Sequence, residues 1–137
     1  MDRDKALSLL ASARVGHLAT ADASGTPHVV PFVFAFDGTT VYWAVDRKPK
    51  RSKRLKRLAN IEANPNVEMV VDRYDEDWDR LWWVRASGPA RVLEGGEERT
   101  SALRLLAEKY ERYRTLPPDG AVVAIEVVRV TGWSASD

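Results

Sequence analysis

"HVVPFVFAFDGTTVYWAV", residues 28–45, sets the fold class of this chain. Two runs of β-branched and aromatic residues meet at Asp37-Gly38, a pair suited to the left-handed corner of a tight hairpin, so the stretch reads as two antiparallel strands. Pro31 has no amide proton to give a central ladder, which assigns it to an edge, a bulge or a bend. Upstream, "RVGHLATAD" reads as a strand that turns into the first run through Ser24 and Gly25. Downstream, "NVEMVVDRY" and "RLWWVRASGPARVLEG" read as a second hairpin pair, and "AVVAIEVVRVTGWSA" as a closing strand.

Helical spacing is confined to three places. "DRDKALSLLASAR" has an acidic first turn and Ala6, Leu9, Leu10 and Ala13 along one stripe. "GEERTSALRLLAEKYERYR" carries Leu103, Leu106 and Tyr110 at the same period. A third helix is expected from about Lys53 to Ala63, capped by Ser52 after Pro49. Five or six strands and three short helices without repeats predict a mainly β fold, a small barrel with flanking helices. A chain of 137 residues can close one core, so residues 1–137 are expected to form a single domain, with "TLPPDG" at 115–120 only a linker to the last strand.

Charge is unevenly placed. "RKPKRSKRLKR", residues 47–57, holds eight cations, and removing them leaves 13 bases against 20 acids. That asymmetry points to a discrete anionic ligand rather than a long polyanion. Lys50 and Arg51 precede a helix N-terminus whose free N–H groups attract anions, while Lys53, Lys56, Arg57 and Asn60 share the face opposite Leu55, Leu58 and Ala59, with Arg54 on the flank. A phosphate site, a solvated basic face and a nucleic-acid patch all fit this pattern. There is no cysteine, and residues 1–20 lack the order of a signal peptide, which leads to an expected cytoplasmic location. No run approaches the ~18 apolar residues of a membrane span, so no membrane is expected as partner, and the acidic remainder of the chain counts against a nucleic acid.

Taken together, "RVGHLATAD", "GTPHVVPFVFAFDG", "RKPKRSKRLKRLANIEANPNVEMVVD" and "DEDWDRLWWVRASGPARVLEG" resemble the pyridoxamine 5′-phosphate oxidase-like split-barrel family, in its small F420-associated branch. The resemblance covers residues 14–95. It implies a six-stranded antiparallel split β-barrel that pairs into a homodimer with cofactor grooves at the subunit interface. It also implies that Val30, Pro31, Phe32 and Val33 lie along the tricyclic ring, and that the phosphate ligands come from Lys50, Arg51, Lys53, Arg54 and Arg57. Trp82 and Trp83 point to opposite faces of a strand, and Trp83 is counted with the cofactor-contacting residues.

Eight cations exceed what the single phosphate of FMN requires and suit the longer anionic tail of coenzyme F420. The expected function is therefore an F420-dependent oxidoreductase that transfers hydride between the deazaflavin and a small molecule, with an FMN-dependent enzyme of the same fold as the alternative. A haem-handling relative, a nucleic-acid module and a cofactor carrier without turnover stand behind these. No catalytic side chain is assigned, because no nucleophile–base set is recognisable. His17 and His28 lie on separate strands without a carboxylate third ligand, and "DRYDEDWDR" lacks the turn glycine of a calcium loop, so no metal is expected.

Overall fold

The computed structural model describes residues 1–45 and 56–137, organised by two antiparallel ladders that share one long strand. That strand is β6 (Trp82–Leu93). The first ladder runs β2 (Pro27–Phe32), β1 (Gly16–Ala21), β5 (Asn66–Arg73), β6 and β8 (Arg129–Ser134). The second continues from the far half of β6 through β7 (Val122–Glu126) and β4 (Thr40–Ala44) to β3 (Ala35–Phe36). The result is mainly β, as expected.

Its strand count differs from the six of a regular split barrel, because two of the six expected runs break and give eight strands. The 28–36 run parts at Val33 and Phe34, separating β2 from β3, and the closing run parts at Val127 and Val128, separating β7 from β8. In each case the chain leaves one ladder and joins the other. Among the described residues the hydrogen-bonded sheet is accordingly not closed: β2 and β3 end its main path, although they are consecutive in the chain, and β8 is a further edge beside β6.

Gly88 sits where β6 exchanges one neighbour for another. Residues Trp82 to Ser87 pair with β8, and Ala90 to Leu93 pair with β7. Between them the backbone passes so close to Glu126 that a Cβ on residue 88 would coincide with the Glu126 carbonyl oxygen. The Val128 amide then donates to the Ser87 carbonyl at 2.9 Å, fixing the departure of β8. Only glycine permits this approach.

Two apolar clusters flank β4. Val41 and Trp43 face the barrel interior with Leu18, Phe32, Phe34, Met69, Val71 and Val84. Tyr42 and Ala44 face the other way, under Ala102 and Leu106 of α3 (Glu97–Lys109). Helix α1 (Arg3–Ser12) lids the interior with Ala6 and Leu10, and the Asp2 carboxylate accepts from the Lys5 amide at 2.8 Å to cap its first turn. The helix expected to run unbroken to Arg114 is interrupted: Tyr110 is extended (φ −122°, ψ 119°) and separates α3 from α4 (Glu111–Thr115). With α2 (Lys56–Ala63), the described residues hold four α-helices rather than three, plus one 3-10 turn at Trp78–Arg80. None is long and apolar enough to cross a membrane.

The acidic hairpin tip uses its own carboxylates. Asp75 accepts from the Asp77 amide at 2.8 Å and pairs with Arg73 at 3.2 Å, while Asp77 caps the 3-10 turn.

Two outcomes follow from these contacts. Gly88→Ala forces the β6 and β7 backbones apart and should lower unfolding stability by on the order of 3 kcal/mol or prevent folding, read by urea denaturation. At Glu98, the Arg91 guanidinium (2.7 and 2.9 Å) and then the Tyr42 hydroxyl (2.8 Å) hold the carboxyl below its ordinary range, and Tyr42 is pushed up to about 12 by burial and by Glu98. A depressed carboxyl stabilises the fold above its unfolded value and loses that effect as pH falls through its folded one. Glu98→Gln should therefore cost roughly 1 kcal/mol at neutral pH in thermal melts, with the gap to wild type closing on acidification below about pH 4.

Candidate functional site

Where the two ends of the open sheet diverge, a cavity of about 200 Å³ is lined by Pro31, Phe32, Val33, Trp43, Ala44, Arg57 and Tyr113. Pro31 and Phe32 end β2, Val33 belongs to the β2–β3 link, Trp43 and Ala44 end β4, and Arg57 and Tyr113 come from α2 and α4. Four residues expected at a cofactor site thus meet in one place. Val30 lies just upstream on β2, packed against the barrel core. Lys50, Arg51, Lys53 and Arg54 lie outside the described residues. Trp83 does not line this cavity. It stands on the outer sheet face opposite Trp133, with the Arg85 guanidinium 4.9 Å from its ring centre, while Trp82 packs toward the core.

Arg57 is not on the solvent-facing side that the helical wheel of α2 assigns to it. Its guanidinium lies 4.7 Å from the Trp43 ring centre, and the helix buries Asn60 and Ile61 while exposing Ala59. The buried Asn60 (2% exposed) explains this rotation: its Nδ2 donates to the Thr20 hydroxyl of β1 at 3.0 Å, tying the helix to the sheet by a satisfied polar contact. Arginine keeps its charge at any physiological pH, so this places a permanent cation on an aromatic wall.

Trp43 itself was invisible to residue-type reasoning about ligands. It is fully buried, edge-on to Phe32 at 6.4 Å, and its indole N–H has no hydrogen-bond partner among the described residues. Aromatic faces and one cation suit a flat, anionic molecule. The signal available in sequence was "TVYWA", a run with no polar alternation, which marks a strand covered on both faces.

His17 and His28 lie on opposite faces of the β1–β2 pair, since His17 is opposite Pro31 and His28 is opposite Thr20. No group of three metal-ligating side chains occurs among the described residues. Beside the cavity, Lys109 donates to the Phe34 carbonyl at 2.9 Å, and burial, followed by the nearby Arg14 charge, depresses its pKa to about 8.

Asn60→Ala removes the donor that anchors α2 and strands the buried Thr20 hydroxyl. A stability loss of about 2 kcal/mol is expected by chemical denaturation.

Comparison with known proteins adds a family and a fold. A family model described as pyridoxamine 5′-phosphate oxidase matches residues 3–134. No curated protein matched the chain. Among solved structures, the conserved hypothetical protein Rv2991 of Mycobacterium tuberculosis is similar at 21% identity and TM-score 0.79, covering 98% of this chain and 86% of its own. An FAD-binding protein of Mycobacterium smegmatis is similar at 22% identity and TM-score 0.70, with 97% and 95% coverage. The haem storage protein HutZ of Vibrio cholerae is similar at 14% identity and TM-score 0.72, with 96% and 90% coverage.

Proposed function

The chain belongs to the pyridoxamine 5′-phosphate oxidase family, and from that premise we propose that it is a cytoplasmic oxidoreductase binding coenzyme F420 in the cavity between β2, β4 and α2. One observation carries this reading. Pro31, Phe32 and Val33, expected along a cofactor ring, share a cavity with Arg57, expected near its phosphate. The eight cations of residues 47–57 exceed the need of one phosphate. When bound, the deazaflavin supplies hydride transfer to or from a small electrophile. The chain's own part is to bind, orient and desolvate: Phe32 and Trp43 form apolar walls, and Arg57 compensates negative charge. Solvent supplies or accepts the proton that balances the hydride, and no side chain is given a catalytic role.

The same reading treats residues 1–137 as one cofactor-binding unit that acts as a homodimer. The outer sheet face supports this, with Val29 61% exposed and Trp133 43% exposed beside Pro31 and Trp83. FMN is the alternative cofactor, favoured by the FAD-binding description of one structural relative. Lys50, Arg51, Lys53 and Arg54 remain the proposed additional ligands of the anionic tail.

Titration of the intrinsic fluorescence of the five tryptophans with F420, FMN and haem separates these readings. Saturable quenching at much lower F420 than FMN concentration is expected. Preference for FMN would change the redox partner, and a response to haem alone would sink the oxidoreductase reading. Arg57→Met keeps the stacking volume and removes the charge, so affinity should fall about tenfold, equivalent to ~1.4 kcal/mol.

A further inference from the structure

The break between β2 and β3 leaves Phe34 between the two ladders, fully buried and without a strand partner for its backbone. Buried backbone donors and acceptors must be paired. Here side chains do this: the Phe34 amide donates to the Tyr110 hydroxyl at 3.2 Å, and its carbonyl accepts from Lys109 Nζ at 2.9 Å with the Tyr110 hydroxyl at 3.0 Å. The Lys109 ammonium also lies 4.2 Å from the Phe34 ring centre and 5.4 Å from that of Tyr110. Phe34 in turn stacks on Phe32 at 5.2 Å, and Phe32 and Val33 line the cavity.

From this chain of contacts we infer that Lys109 is a positioning residue, whose charge holds the β2–β3 link, and with it the cavity wall formed by Phe32 and Val33, in its binding shape. The inference rests on the cofactor reading above for its consequence, though not for the geometry. Tyr110 has a single hydroxyl proton with two carbonyls in reach, that of Arg14 at 2.9 Å and that of Phe34 at 3.0 Å, so the ammonium is the one donor the Phe34 carbonyl does not share. What the ammonium adds is a cation against two aromatic faces and a charge-assisted bond to the carbonyl.

Its surroundings make that charge sensitive. Arg14, from the α1–β1 link, lies 4.9 Å from the Tyr110 ring centre and is the charged group acting on Lys109. Arg114 of α4 donates to the Ala107 and Glu108 carbonyls, Tyr110 is raised by burial, and no carboxylate pairs with Lys109 among the described residues. With its pKa brought to about 8, Lys109 loses its charge at the edge of the physiological range.

Two pH effects of opposite sign follow. A lysine whose folded pKa is depressed binds fewer protons folded than unfolded between about 8 and about 10.4, so its contribution to stability rises with pH there. The hold on Phe34 weakens over the same rise, so cofactor affinity should fall. A merely structural lysine would move stability alone.

The test uses the full chain, first without cofactor. Backbone amide shifts of Val33, Phe34 and Ala35 followed by NMR should titrate with a midpoint near 8 in wild type, lose that titration in Lys109→Met, and stay in the low-pH position throughout in Lys109→Arg. FMN and F420 affinities measured from about pH 6.5 to about 9.5 should fall at least threefold in wild type, stay high in Lys109→Arg, and be low and flat in Lys109→Met. Amides that titrate unchanged in Lys109→Met, or an affinity profile superimposable on wild type, would overturn the inference. Failure of wild type to bind either flavin would count against the cofactor reading, while the amide titration would still decide whether Lys109 sets the link.

Discussion

The close crossing of β6 over Glu126 at Gly88 is the constraint from which the rest of the architecture follows. Because one strand serves β8 before that point and β7 beyond it, the sheet divides into two ladders rather than continuing as one. Dividing there forces the closing run to change ladders at Val127 and Val128. The 28–36 run makes the equivalent change at Val33 and Phe34, leaving β2 and β3 at opposite ends of the main path of an open sheet. A closed barrel has no such gap. The cavity lined by Phe32, Val33 and Trp43 lies at this one.

Among the described residues, aromatic rings hold four of the cationic side chains. Arg57 lies over Trp43, Lys109 over Phe34, Arg14 over Tyr110 and Arg85 over Trp83. Carboxylates hold other cations: Glu98 bonds Arg91 and Tyr42, Asp75 pairs with Arg73 and Arg80, and Glu68 lies 3.6 Å from Arg85, which thus has both a ring and an acid beside it. The strongly basic stretch of residues 47–57 adjoins α2 in sequence.

Most elements were legible in sequence because they rest on local rules. The Asp37-Gly38 hairpin, the first helix with its acidic first turn and the opposite orientations of Trp82 and Trp83 follow from turn chemistry, helical spacing and period-two alternation. What escaped depends on partners remote in the chain. Pro31 signals an edge or bend in "PFVFAF" but does not place the break at Val33 and Phe34, and nothing in "IEVVRV" marks one, since both breaks arise from a change of neighbour. Tyr110 continues a helical pattern perfectly well, yet its hydroxyl bonds to Phe34, 76 residues away, and α3 ends. Asn60 reads as polar surface until Thr20, 40 residues away, is beside it. Of the candidate site, the β2 residues and Arg57 were legible, and Trp43 and Tyr113 were not.

Placing a cavity at an interrupted ladder has an energetic logic. Breaking a strand leaves a buried amide and carbonyl whose loss of partners is worth about 1–3 kcal/mol each, so the break persists only where other groups replace the ladder bonds. At Phe34 those groups are the Tyr110 hydroxyl and the Lys109 ammonium, both carried by the end of α3. The wall of the cavity is thereby braced from behind by a helix terminus instead of by a neighbouring strand. A strand neighbour fixes a wall through many equivalent bonds, while a helix terminus fixes it through two side chains that respond to charge and to the packing of α3.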